Sequence, residues 1–447
     1  MDPTCVKARQ LARSLPLNNP LDELRHTMNM KSIFEKLYFF AVICANVTVI
    51  AAVFGGHAAL NAGDSGSALS SGSSDPVLLA INIAIGLSTV VLAFPRTRQI
   101  IYMLSRHKLL LALYMLVALS ILWSSDRAST FRIGAYLFLY LIAAVYIALR
   151  FDDEEIIDLL AKSMVILGLL SVPGNFLLPP DPYQPDSWKG VFLHKNELGM
   201  AMAIGITALV ASRKRWSLVR MMSILVCSGL LYLSQSMTSI IAVAITVVVI
   251  MYLRLMRHLS VVFLTSVIGS ALMLLTAAPD LQGIFSSATS RDLTLTGRTA
   301  IWALVTEKIR EKPILGYGYG AFWSTEAESV NQFLEGFKPG QAHNGYLEIC
   351  LDLGMLGLAL CVSLIAAVAI RALRLNRHYH GRCGDWPLIV IVLLLIHNLT
   401  ESDLMRNNIM WALFIVACVS SMKARDGCRT AMITEGLQSC EREPVAA

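Results

Sequence analysis

Three short polar clusters interrupt an otherwise apolar chain and carry the residue types that can do chemistry. GVFLHKNELGMA at 190–201 sets His194, Lys195, Asn196 and Glu197 side by side. TGRTAIW at 296–302 carries Arg298 where a helical pattern opens, and AHNGYLEICLDLGMLG at 342–357 carries His343 and Asn344. A guanidinium at a helix N-terminus joins free backbone N–H groups and the positive end of the helix dipole, a combination that suits a diphosphate. A histidine titrates close to neutral pH and can act as general base or hydrogen-bond donor. Lys195 offers a second fixed cation. Each cluster also has a plain structural reading. Arg298 can pair with Asp292 or a lipid phosphate, His343 can cap a helix, and 194–197 can be a helix start with a snorkelling lysine. A metal site built from His194, His343 and Glu197 has no ligand spacing behind it, so neither metal nor cofactor is expected.

The elements that must position these residues follow from composition. Of 447 residues, 55% are hydrophobic and 15% charged, with a mean hydropathy of +0.61. A soluble domain could not bury that much apolar surface, so lipid is the solvent for most of the chain. A bilayer core of roughly 30 Å asks for about 20 apolar residues per helix. Counting such runs predicts an all-α polytopic membrane protein with about twelve transmembrane helices, near 37–55, 76–94, 109–123, 132–149, 158–178, 197–212, 217–233, 237–253, 259–277, 345–370, 387–400 and 407–422.

Lysine and arginine mark alternate connections, which makes those the cytoplasmic ones. They gather in the arm 1–36, then at Arg96–Lys108, Arg213–Arg220, Arg254–Arg257 and Arg371–Arg382, and in the tail 423–447. Both termini are therefore expected in the cytoplasm, and the net charge of +6 reflects topology rather than nucleic-acid binding. The N-terminus lacks the apolar core and small-residue cleavage site of a removable signal, so the first span is read as a retained anchor. No cysteine of the nine falls in an outer loop, so no disulfide is expected.

Connections are short except one, from 278 to 342 on the outer side, between the blocks 37–277 (helices 1–9) and 343–422 (helices 10–12). Functional residues concentrate in loops of that length. Within it GRTAIWALVTEKIREKP predicts a helix, with Ile301, Trp302, Val305 and Ile309 on one stripe and Pro313 as its stop, suited to lying at the membrane surface. GYGYG at 316–320 lacks the GK[ST] of a phosphate loop and reads as a flexible turn. Charged residues in the middle of the spans, the mark of an ion or proton pathway, look nearly absent; Lys162 sits close enough to its span end to snorkel.

Six segments in this order resemble the O-antigen ligase and polymerase superfamily, nearest its exopolysaccharide-polymerase branch. They are LSILWSSDRASTFR at 119–132, FLHKNELG at 192–199, LYLSQSMTS at 231–239, TGRTAIW at 296–302 with KPILGYGYGAF at 312–322, HNGYLEICLDLGMLG at 343–357, and NLTESDLMRNNIMW at 398–411. The resemblance implies a GT-C-like glycosyltransferase of a bacterial inner membrane that takes a glycan on undecaprenyl diphosphate and uses no cofactor. Its partners would be membrane lipids, the lipid-linked donor, a glycan or lipid A core acceptor, and a chain-length regulator. Arg298 matches the family's loop arginine and His343 its histidine, the two expected catalytic groups. Lys195 or Arg291 would supply the second cation. His194, Asn196, Asn344, Gln235 and Glu401 would line the substrate site, with Ser234, Ser236, Ser402 and Asp403 beside them. A ligase moving finished polymer to lipid A core is the nearest alternative reading, and a transporter or export component a more distant one.

Overall fold

The computed structural model describes residues 30–46, 76–181, 184–255, 298–325, 340–378 and 385–424, and among these it is helical without a strand. The helices are α1 (Met30–Asn46), α2 (Pro76–Ala93), α3 (Thr97–Arg106), α4 (Lys108–Leu119), α5 (Arg127–Arg150), α6 (Asp153–Leu177), α7 (Lys195–Ala211), α8 (Leu218–Ser234), α9 (Met237–Leu255), α10 (Arg298–Glu311), α11 (Phe322–Thr325), α12 (Gly345–His378) and α13 (Asp385–His397). α14 (Ile409–Ala424) closes the described chain. Helices are the form that lipid demands, because they satisfy their own backbone hydrogen bonds. Their starts are written in the sequence. Asp126 caps α5 by accepting from Ser129 N at 3.1 Å. Asp152 and Glu155 form a reciprocal capping box on α6, and Ser217 caps α8.

Four helices are long and apolar enough to cross a membrane unaided: Arg127–Arg150, Asp153–Leu177, Met237–Arg254 and Gly345–Arg377. Ile83–Arg106 and Lys108–Leu122 meet at 96° and make a fifth if they act as one span. The chain is thus a multi-pass membrane protein, and among the described residues four or five of the expected spans reach full length. The expected span 259–277 lies outside the described residues. The apolar helices Leu218–Ser234, Asp385–His397 and Ile409–Ala424 are short; at about 1.5 Å per residue, 13 residues reach only about 20 Å.

α7 is the buried centre, packed against α6, α8 and α9. Its Gly and Ala residues allow that close approach, and Gly205 faces the Met164 side chain. The turns sort into two ends in the same way as the loop charges. At one end Arg213 pairs with Asp385 at 2.9 Å, Lys214 with Asp158 at 2.9 Å, and Lys423 reaches Ala148 O at 2.6 Å. At the other end the turns around 196, 238, 298 and 343 all meet the turn at 400–401, and the turn around 124 meets the chain at Tyr317.

Two further expectations change here. The apolar stripe of α10 is covered by protein rather than lipid: Ile301, Leu304 and Val305 pack with Tyr317, Phe322, Ala342 and Leu351. The GYGYG run is a locked strap, not a flexible turn. α12 breaks at Gly354 (φ 66°, ψ −168°), and the strap satisfies the backbone groups the break releases. Tyr317 N donates to Leu351 O (2.7 Å), Gly318 N to Asp352 O (3.0 Å), and Met355 N to Pro313 O (2.8 Å). Gly316 and Gly354 interlock so tightly that a Cβ on Gly354 would lie 2.1 Å from Ile314 O, and one on Gly316 2.4 Å from Leu351 O.

Candidate active site

The turn between α13 and α14 collects the polar groups of that second end, and Glu401 is where they meet. Asn398, whose side-chain oxygen accepts from Asp403 N (2.9 Å) and Leu404 N (2.8 Å), folds the turn back on itself. Glu401 N donates to His397 O at 3.0 Å, which turns the carboxylate toward the ends of α7, α10 and α12. One oxygen, Oε1, accepts from Arg298 Nη2 at 2.9 Å and from Asn196 Nδ2 at 2.9 Å. The other, Oε2, lies 3.4 Å from His343 Nδ1. Arg298 also donates to Thr400 O. The carboxylate thus bridges an arginine 103 positions away and a histidine 58 positions away in sequence.

Electrostatics keep Glu401 ionised. Burial raises its pKa, but the hydrogen bond from His343 and the charges of Arg298, His343 and His397 outweigh burial and hold it at about 2. Arg298 and Glu401 are 13% and 11% exposed at the side chain, so their attraction is only weakly screened.

His343 has φ 48°, a left-handed conformation that side chains with a Cβ rarely take without support. The support is adjacent: Trp302 Nε1 donates to Ala342 O at 2.9 Å, and Asn344 N donates to Ser402 Oγ at 3.1 Å. Asn344 itself folds its side chain over the start of α12, accepting from Tyr346 N and Leu347 N and donating to Leu399 O.

The remaining expected residues divide. Asn196 joins the Glu401 cluster directly. Lys195 is beside it, its backbone N–H on Asp181 Oδ2 at 2.9 Å and its ammonium on Gln184 Oε1. His194 Nδ1 lies 3.9 Å from the same Asp181 carboxylate. Gln235 closes α8 in a left-handed turn (φ 54°), flanked by Ser234 and Ser236, which pack onto Gly199 of α7. Arg291 and Asp292 lie outside the described residues. Among the described residues no cluster of three or more His, Cys, Asp or Glu side chains is arranged to hold a metal.

Beside Asp403, which the sequence placed near the site, several polar groups were not singled out there. His397 Nδ1 pairs with Asp403 Oδ2 while its Nε2 lies 3.5 Å from Ser239 Oγ, all buried. Lys189 is a buried cation whose ammonium donates to Phe192 O at 3.2 Å; burial lowers its pKa against the pull of Asp181 and Glu197. Glu348 and Asp352 sit near the start of α12 with Arg406 between them. Only the i, i+4 spacing of the two acids in EICLD hinted at this.

Residues 222–362 match the family O-antigen ligase. That stretch runs from α8 into α12 and contains Arg298 and His343, while Glu401 and Lys195 fall outside it. Over that stretch the chain is similar to the O-antigen ligase and polymerase superfamily. It is 26% identical over 263 residues to the exopolysaccharide production protein ExoQ of Rhizobium meliloti, a match covering 54% of this chain and 60% of that protein. Provisionally named polysaccharide ligases of Rickettsia felis and Rickettsia conorii are 29% and 30% identical, over 46% and 39% of this chain and 54% and 45% of theirs. The chain therefore spans about half the length of the curated relatives it matches.

Proposed function

We propose that this chain is an inner-membrane glycosyltransferase, with both termini in the cytoplasm, that joins oligosaccharide repeats carried on undecaprenyl diphosphate into exopolysaccharide or O-antigen at the periplasmic face. The observation that carries the reading is the shared carboxylate: Glu401 holds Arg298 and His343 within one cluster at the end of the helix bundle where the expected outer turns meet. Cleaving a sugar–diphosphate bond builds charge on the leaving phosphate, and a fixed guanidinium is suited to stabilise it. Arg298 would exchange Glu401 for the diphosphate, with Lys195 as the nearby second cation. His343, its Nδ1 engaged by Glu401, would take the acceptor hydroxyl proton at Nε2 as that oxygen bonds to the anomeric carbon and the diphosphate departs. Asn196, His194, Asn344 and Gln235 flank the cluster and would line the path of the glycan, with a chain-length regulator as a further partner.

The names of the Rickettsia relatives favour a second reading, transfer of finished polymer to lipid A core. A deletion strain complemented with wild type, Arg298→Ala or His343→Ala separates the two. Loss of a polymerase leaves single repeats on the carrier, whereas loss of a ligase leaves long carrier-bound chains. Unchanged surface and lipid-linked glycans on deletion, or full rescue by both variants, would overturn the glycosyltransferase reading.

A further inference from the structure

The role proposed for His343 rests on a left-handed backbone conformation (φ 48°) that residues with a Cβ rarely take without support. Ala342 N, in the peptide one residue ahead of the His343 peptide, donates to Glu348 Oε2 at 2.6 Å, while Ala342 O accepts from Trp302 Nε1. The other oxygen of Glu348 is fixed from two sides, by Trp323 Nε1 at 2.7 Å and by the Arg406 guanidinium. Arg406 also lies 3.6 Å from Asp352 Oδ2, and Asp352 Oδ1 accepts from Gly320 N at 3.0 Å. Glu348 is 1% exposed and Asp352 3%. Two carboxylates at that depth next to lipid are costly unless a cation and good hydrogen bonds compensate them. Nothing in the proposed chemistry uses either acid, yet together they tie the strap, α12 and the Glu401 turn to Ala342, the residue that precedes His343.

We propose that Glu348 and Arg406 are positioning residues that hold His343 in its left-handed conformation and so keep its imidazole on Glu401. Arg406 acts through Glu348: it holds the buried carboxylate in place, and the carboxylate in turn pins Ala342 N. Asp352 extends the same anchor to the strap. This rests on the reading of His343 given above, and it names residues beyond those expected to contact substrate.

The experiment is a double-mutant cycle on the full-length protein in proteoliposomes, with a lipid-linked repeat as substrate and polymer formation followed in single-turnover and steady-state modes. Glu348→Gln keeps the side-chain volume and an acceptor oxygen but removes the charge; Arg406→Lys keeps the charge but loses the fork. Each is expected to lower kcat by about 10- to 100-fold, the scale of a misplacement of about 1 Å, with KM for the lipid-linked substrate within about twofold, in addition to the drop in melting temperature that breaking a buried pair brings. In a His343→Ala background the same substitutions should cost less than about twofold, because there is no imidazole left to misplace. A group that only stabilises the fold would reduce activity equally in both backgrounds. Full additivity, or a loss confined to melting temperature or KM, overturns the positioning role while leaving the glycosyltransferase reading in place. A His343→Ala protein with wild-type activity overturns both.

Discussion

Replacing Glu401 by glutamine removes one charge from a carboxylate that an arginine and a histidine share, and the structure sets the size of the effect. The carboxyl is held at about 2 against an ordinary value of 4.5, which corresponds to about 3 kcal/mol of preference for the ionised form in the folded state. Leaving Arg298 without its counter-ion gives a comparable figure, since breaking a nearly buried pair costs about 3–5 kcal/mol and Arg298 keeps its bond to Thr400 O. Because the folded pKa lies below the unfolded one, the stabilisation is complete above the unfolded value and drains away as pH falls toward the folded value. Detergent-solubilised wild type should therefore lose melting temperature between about pH 5 and pH 3, and Glu401→Gln should start lower and lose that slope. In the polymerisation assay the variant should be slower by about 100-fold, because neither Arg298 nor His343 keeps its orientation. A variant with the wild-type melting curve at every pH and wild-type turnover would refute the bridging role of Glu401.

Other substitutions test separate parts of the arrangement. Gly354→Ala forces a Cβ to within 2.1 Å of Ile314 O at a positive φ, so the strap must detach; a loss of about 3 kcal/mol or more should appear as reduced membrane levels and strap cleavage in limited proteolysis. Asn196→Ala removes one of the two donors to Glu401 Oε1 and should slow turnover about three- to tenfold, consistent with about 1 kcal/mol for one hydrogen bond. If Lys195 is the second cation, Lys195→Ala should raise KM for the lipid-linked donor and Lys195→Arg should restore it; equal KM values in all three proteins would remove it from the diphosphate site.

The sequence by itself determined the class of protein and much of the helix layout. Apolar runs longer than a few turns can be satisfied only as helices in lipid, and the ends of α2, α5, α6, α8 and α9 fall close to where polar punctuation puts them. Arg298 and His343 were legible because their polar clusters stand out against that background and resemble a family pattern. Sequence could not say what these two side chains touch. Their common partner Glu401 comes from a turn near the far end of the chain, and hydropathy carries no information on which turns meet. Tertiary structure alone decided that Gly354 breaks α12 and that the 313–320 strap answers the break. It also decided that Glu348, Asp352 and Arg406 are buried together, and that the stripe of α10 faces protein. Each of these depends on backbone groups or charges finding partners across long sequence separations. In a medium without water that need is absolute, but the choice of partner is made only when the helices pack.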